Sequence, residues 1–429
     1  MDTLDNKNVY KLLCSKLLLQ YLDIKGIREF SSSCKFIYQK CTKFRLSRYI
    51  FKFSEFDEYT SIINRKFKSK EQVYSLQLDY INKIIVRHKP HLLYLSFGRI
   101  TNYYIFEYFS MNFNYLRSLN FLESRIHIKS FKNIIENLPN LQVLALHNVG
   151  IGLEENNPAS TKFEFPKYLK NLKMSGCYQF NCDSNDHIAM GEDRLISVDI
   201  DSFNLDISNI TINTIKSLTW DSRYSGGINS LNQLLTNNAE LETLEINSDK
   251  LVSDTLSIIS KNRNLTKLIV YSYITMPLNN SFSHKLLFIK IIEIPVVLDQ
   301  SIEYVNQLLQ NCPNLEELKY RIVTIENVMY LNMQDSKKLK KLSISHSNIY
   351  LLLSVPFPVS TIEYLEFNLS VPFKIKLSMF NNLKHLKRIN INGTSPEYTN
   401  YDYNNQLFDG SYYWREIKYY NSVQFWKVS

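Results

Sequence analysis

The residues of this chain that could do covalent or metal chemistry are few and scattered. Cys177, Cys182 and His187 lie close enough in sequence to raise the question of zinc, since thiolate and imidazole are its usual protein ligands. Their spacing matches no closed four-ligand pattern, and a structural cysteine at a turn is the better reading of Cys177. The eight histidines are otherwise dispersed. No Gly-x-Ser-x-Gly elbow and no His-Glu-x-x-His pair is present, and Gly226-Gly227 has no Gly-Lys-Ser continuation of the kind that cradles phosphate. No nucleophile, base and orienting group can be assembled, so neither an enzyme activity nor a bound cofactor or metal is expected.

The chemistry that does recur is recognition by charged and aromatic side chains at fixed offsets. An apolar-x-x-apolar-x-apolar pattern appears as Leu141-x-x-Leu144-x-Leu146, Leu241-x-x-Leu244-x-Ile246 and Leu315-x-x-Leu318-x-Tyr320. Further copies start at Val73, Leu92, Leu116, Leu169, Leu195, Ile215, Leu265, Leu286, Leu339, Ile362, Leu386 and Trp414. Side chains alternate along a strand, so if the apolar positions point inward, offsets +2, +4 and +6 share the opposite face. Those offsets carry Asp199, Asp201, Asp221 and Glu245 in one stretch, then Lys267, Tyr271, Phe288, Lys290, Lys319, Arg321 and Lys341 in the next. An acid-to-base gradient across adjacent strands would orient a bipolar partner, with the aromatics as buried anchors, and these residues are the expected substrate contacts.

The elements that must position them follow from the period. The copies recur every 24 residues or so, roughly the 20–29 window of leucine-rich repeats, in which each repeat supplies one strand and a return segment. Several returns have apolar residues at helical spacing, among them 130–139, 227–238, 253–262 and 301–313. Others, 152–166 and 177–193, read as surface loops. Cys177 meets the polar turn position that follows each strand, and Ser124, Asp249, Ser347 and Thr394 stand there in other copies. The expected fold is an α/β leucine-rich-repeat solenoid over 71–429, a curved parallel sheet with a helical or irregular convex side and about 14–15 irregular repeats. The mixed aromatic and basic segment 46–70 would bridge to it.

Residues 1–45 do not follow the repeat. Leu13, Leu17, Leu18, Tyr21 and Leu22, then Ile27, Phe30, Cys34 and Ile37, have helical spacing, with Asp23 and Gly26 suited to a break between two short helices. On Leu18, Leu19, Tyr21, Leu22, Asp23, Ile27, Phe30, Ser31, Cys34, Lys35 and Phe36 this segment resembles an F-box. Tyr10-Lys11 stands where the family's Leu-Pro usually opens the motif. The resemblance implies an F-box and leucine-rich-repeat protein: the substrate-recognition subunit of an SCF-type ubiquitin ligase. Leu18, Leu19, Leu22, Ile27 and Phe30 would then dock a Skp-type adaptor and its cullin, while the repeats hold a protein substrate.

Composition bounds the alternatives. A net charge of +9 raises nucleic acid as a partner, but 50 basic and 41 acidic residues are interspersed without a long basic block, which argues against a nucleic-acid footprint. Six cysteines without a Cys-x-x-Cys pair imply reduced thiols. With no secretory leader and no apolar run approaching a membrane span, a cytoplasmic or nuclear protein without membrane contact is expected. Two readings stand beside the ligase subunit: a repeat scaffold with no link to ubiquitin, and a basic solenoid that binds RNA or chromatin.

Overall fold

The computed structural model describes residues 24–32, 35–51, 70–98, 103–154, 165–182, 214–221, 228–271, 284–298, 301–322, 331, 333, 336–346, 361–369, 377–380, 383–393, 414–419 and 422–428. The chain divides into two compact units, one of residues 1–214 with 222–227, the other of 215–221 with 228–429.

Among the described residues the first unit begins with three short helices, Ile24–Ser31, Lys35–Lys40 and Thr42–Leu46, whose Ile27, Ile37 and Cys41 form a small buried cluster joined by Phe30 and Phe44. Gly26 lies inside the first of these helices, so the expected break does not fall at Gly26, and Asp23 lies outside the described residues. Strands β1 (Arg48–Phe51), β2 (Tyr94–Gly98), β3 (Ser118–Leu122), β5 (Val143–His147) and β7 (Asn171–Ser175) lie side by side in that order, all parallel. β1 corrects the sequence reading of 46–70 as a bridge. Phe51 pairs with Phe97 in register, so Leu46-x-x-Tyr49-x-Phe51 is a repeat in its own right, disguised by its tyrosine. The copy read at Val73 is instead helix, Lys70–His88, which buries Ile81 and Ile85.

Phenylalanines fill this unit's core. Phe97 stacks on Phe121 at 5.6 Å, and helix Tyr103–Asn112 inserts Phe106 and Phe109 at 4.6 and 5.5 Å from Phe97. A second parallel sheet, β4 (Arg125–His127), β6 (Gly150–Glu154) and β8 (Tyr178–Cys182), forms where 152–166 and 177–193 were expected to begin as loops. The turns between the sheets explain it. Glu123, Asn148 and Gly176 each follow a strand with φ of 50°, 52° and 62°, a left-handed conformation that redirects the chain by the same angle in three successive repeats. Glu123 N–H donates to His147 O at 2.8 Å and Asn148 N–H to Ser175 O at 2.7 Å, so each turn is tied to the next. Ser124 Oγ donates to Leu122 O, and Cys177 Sγ to Leu146 O at 3.4 Å, the role expected of the polar turn position.

The second unit continues the pattern with β9 (Ser217–Asp221), β10 (Thr243–Asn247), β11 (Lys267–Tyr271), β12 (Ile291–Val297), β13 (Glu317–Ile322), β14 (Lys341–His346), β15 (Tyr364–Leu369) and β16 (Arg388–Gly393), parallel and in sequence order. Returns form helices where expected: Ile228–Asn237 buries Leu231, Leu234 and Leu235, Ser253–Lys261 buries Leu256 and Ile259, and Ile302–Gln310 buries Val305, Leu308 and Leu309. Asn264 Nδ2 donates to Ala239 O and Asn314 Nδ2 to Leu287 O, so the asparagines ahead of β11 and β13 each tie one repeat to the last. The strand β18 (Ser422–Lys427) runs antiparallel on β16, with β17 (Trp414–Lys418) outside it. Trp414 therefore starts an antiparallel strand, not a further parallel repeat.

One register differs. The copy read at Leu286 runs from Ile289, since Leu268 lies opposite Ile292, and Ile294 opposite Tyr320. The run Leu286–Ile294 is apolar enough to satisfy the pattern twice, and only pairing with neighbours selects one. The copy at Leu195 lies outside the described residues.

Two outcomes test this packing. Leu144, Leu244 and Leu318 have no exposed surface, and truncating any of them to Ala should cost roughly 2–5 kcal/mol in denaturant unfolding. Thr243→Ala on the opposite face should stay within about 0.5 kcal/mol. Equal losses at both would mean the faces are misassigned. At Gly176 an added Cβ would lie 2.1 Å from Asn148 Oδ1 in a backbone conformation that disfavours side chains. Gly176→Ala should lower stability by about 1–2 kcal/mol, and a variant as stable as wild type would show that this turn is not constrained.

Candidate functional site

The expected recognition face is the outward side of the second unit's strands. In corrected register its columns are set by neighbour pairing: Thr219, Glu245, Ile269, Glu293, Lys319, Ser343, Glu366 and Asn390 share one row across eight strands. Adjacent rows hold Ser217, Thr243, Lys267, Ile291, Glu317, Lys341, Tyr364 and Arg388 on one side, and Asp221, Asn247 and Tyr271 on the other. Inward neighbours such as Leu268, Ile292, Leu318 and Leu342 are fully buried and hold the rows in place.

This arrangement brings the charged residues into mutual contact. Glu245 accepts from Thr219 Oγ1 at 2.6 Å and from the Tyr271 hydroxyl, and Asn247 Nδ2 donates to Asp221 Oδ1 at 2.8 Å. Lys267 pairs with Glu293 at 3.1 Å. Glu317 receives Lys319 at 3.3 Å and Lys341 at 3.0 Å. The lysines of the expected gradient are thus paired with Glu293 and Glu317, while its acids Glu245 and Asp221 are held by the hydroxyl and amide donors of their neighbours. The reason is stacking: like positions of successive repeats lie about 4.8 Å apart, so a column tolerates charge best where its signs alternate.

Two expected contacts do not reach the face. Phe288 sits in the turn ahead of β12 and is half-buried, and Lys290 immediately precedes that strand and pairs with Glu316 at 3.3 Å along the strand-entry rim. The three-residue register shift moved both, and it also hid Glu293, which takes the place assigned to Lys290. Arg321 does stand on β13, exposed and without a hydrogen-bond or ion-pair partner among the described residues. Asp199 and Asp201 lie outside the described residues.

Burial acts on Glu317 to raise its pKa, but the hydrogen bond and charge of Lys341 and the charge of Lys319 outweigh it, leaving the carboxyl below its ordinary 4.5. Cys312, fully buried, has its thiol pushed up to about 12 by desolvation and is no nucleophile. Cys177 is likewise buried at its turn, and His187 lies outside the described residues.

In the N-terminal helices Ile27 is 7% exposed and packs inward, and Phe30 is half-buried against it. As the helices stand, Ile27 is therefore a core residue and does not face an adaptor. Leu18, Leu19 and Leu22 lie outside the described residues. No helix among the described residues is long and apolar enough to cross a membrane.

A depressed carboxyl pKa stabilises the folded state above the unfolded value and is lost as pH falls through the folded one. Wild type should therefore be more stable than Glu317→Gln near pH 7, with the gap closing in acid below the ordinary 4.5. Urea unfolding at pH 7 and pH 3 measures it. A gap that is constant with pH would mean that Glu317 is not held by its two lysines.

No protein-family model matches the sequence, and no curated protein matches it. Among solved structures the chain is similar to one described as a TLR13–ssRNA13 complex, at 14% identity over 87% of this chain and 42% of that one, with a TM-score of 0.33. This chain spans less than half the length of that neighbour. The chain itself forms a repeated parallel-strand fold of leucine-rich-repeat type, with an outward polar face on its second unit.

Proposed function

We propose that the protein is a non-catalytic receptor that binds a protein partner on the outward strand face of its second unit. One observation carries this reading: eight parallel strands present polar, charged and aromatic side chains, with Ile269 and Ile291 among them, in straight columns on one side, while the leucine-pattern side chains are buried on the other. Such a surface is large, preorganised and lacks the convergent nucleophile and base that catalysis requires. Its paired charges favour partners that offer hydrogen bonds and apolar groups over strongly charged ones. Arg321, without a partner among the described residues, and Tyr364, 38% exposed, are the residues best placed to anchor one.

The link to ubiquitin rests on the F-box resemblance of the N-terminal helices. In this reading the protein is the substrate-recognition subunit of an SCF-type ligase, catalysis residing in other subunits. With Ile27 in the helical core, adaptor contact falls to Leu18, Leu19 and Leu22, with the outer edge of Phe30. A reducing compartment, cytoplasm or nucleus, accords with the buried free thiols of Cys41, Cys177 and Cys312.

The test is affinity purification of the full chain, probed for a Skp-type adaptor and cullin. Wild type should recover both, and Leu18→Asp with Leu22→Asp should lose both while retaining partners captured by the repeats. If wild type recovers neither, the ubiquitin link is wrong and the chain is a repeat scaffold alone. Arg321→Glu should weaken capture of the repeat-bound partner at least tenfold without changing thermal stability. Full capture by that variant would remove the strand face as the binding site.

A further inference from the structure

The two units treat the lysines and arginines at their strand-entry rims in opposite ways. In the second unit the cations just ahead of three strands are paired, Lys216 with Glu240 at 3.3 Å and Glu242 at 2.9 Å, Lys290 with Glu316 at 3.3 Å, and Lys387 with Glu363 at 2.6 Å, while Lys340 ahead of β14 has no ion pair among the described residues. The rim of the first unit lines an open groove of about 700 Å³ instead, walled by Lys43, Lys89, Tyr115, Arg117, Gln142 and Tyr168 among others, and no carboxylate is among its lining residues. Lys43, Lys89 and Arg117 are exposed, and none has a side-chain partner among the described residues. Tyr115 and Tyr168 are 65% and 48% exposed at turns where the core requires no aromatic. Lys167 lies over the Tyr168 ring at 4.9 Å, and Lys170, also exposed, enters β7 beside it.

The placement of these cations identifies the ligand. They do not converge: Lys43 belongs to the helix ahead of β1, Lys89 to the approach to β2, Arg117 to β3, and Lys170 to β7. At about 4.8 Å per strand the last three span roughly 14 Å. A single phosphate or carboxylate is bound by donors that meet at a point, whereas a chain of repeated negative charge is bound by cations set out along a line. The two tyrosine rings, at the same rim and two strands apart, add flat faces that an acidic peptide does not use and an unpaired base does. Gln142, just ahead of the strand between them, carries an amide that can pair with a base edge.

We propose that the strand-entry rim of the first unit binds single-stranded nucleic acid, with Lys43, Lys89 and Arg117 against phosphates and Tyr115 and Tyr168 under bases. A duplex is excluded by the same geometry, since its bases are stacked on one another and closed to the tyrosines. Lys167 must share or leave the Tyr168 ring when a base arrives. This site is separate from the strand face proposed above for a protein partner.

Fluorescence anisotropy of the full chain with labelled octauridylate, at several salt concentrations, tests the proposal. Binding should be saturable and should weaken with salt at a log–log slope near −2, since each of three neutralised phosphates contributes about −0.7 on a single strand. The combined Lys43→Gln, Lys89→Gln and Arg117→Gln variant should lose binding at least tenfold and most of the slope. Tyr115→Ala and Tyr168→Ala should each weaken binding about tenfold and leave the slope unchanged. Lys387→Gln, at the paired rim of the second unit, is the control and should bind as wild type. All the altered side chains are exposed, and thermal unfolding verifies that each variant folds. No saturable binding by wild type at low salt would overturn the proposal. So would undiminished binding by the triple variant, or equal affinity for an octauridylate–octaadenylate duplex or for a poly-glutamate peptide, either of which would make the rim a general anion surface.

Discussion

A short strand with apolar side chains on one face cannot bury them alone, and everything in this molecule follows from having to borrow its neighbours' cover at the same height. The inward positions of one repeat must meet the same inward positions of the next, which forces register. Phe51, Phe97 and Phe121 occupy one such position in the first unit, and Ile246, Val270, Ile294 and Tyr320 the same one in the second. None is more than 3% exposed, so a slip by even one residue would turn a column of the core into solvent. The asparagines ahead of β11 and β13 and the left-handed turns after β3, β5 and β7 reinforce that register through the backbone.

Register on the inside dictates neighbours on the outside. Once the core columns are fixed, each outward residue has no choice of lateral partner, and charge must be arranged along columns that the core has drawn. The second unit does this by alternation. Glu317 between Lys319 and Lys341, and Lys267 beside Glu293, convert potential repulsion into pairing. Exposed pairs of this kind add little stability. Their effect is on recognition, because a paired surface offers less unsatisfied charge to a passing partner. Among the described residues the first unit leaves Lys43, Lys89 and Arg117 of its rim unpaired, and there the field is available to a ligand. Two surfaces built by one repeat rule thus end with different electrostatic character.

The sequence alone determined the repeat. Leucine, isoleucine and phenylalanine at fixed offsets prescribed parallel strands with helical returns at 130–139, 227–238, 253–262 and 301–313, and the turn role of Cys177, because these depend on local periodicity and on the bare need to bury apolar surface. Tertiary structure decided whatever depends on which residue lies beside which. It placed the first strand at Arg48–Phe51, where Tyr49 masks the pattern, and turned the Val73 copy into helix. It chose Ile289 over Leu286, because two registers satisfy one apolar run locally and only one matches Leu268 and Leu318. It set the lysines of the expected gradient against Glu293 and Glu317, and it buried Ile27 in the helical cluster it was expected to leave. It also gathered Lys43, Lys89 and Arg117 along one groove, although more than seventy positions separate the first from the last and no basic block marks them in the chain. The physical reason is the same throughout: periodicity is a property of one segment, whereas register, pairing and charge clustering are properties of neighbours that only folding brings together.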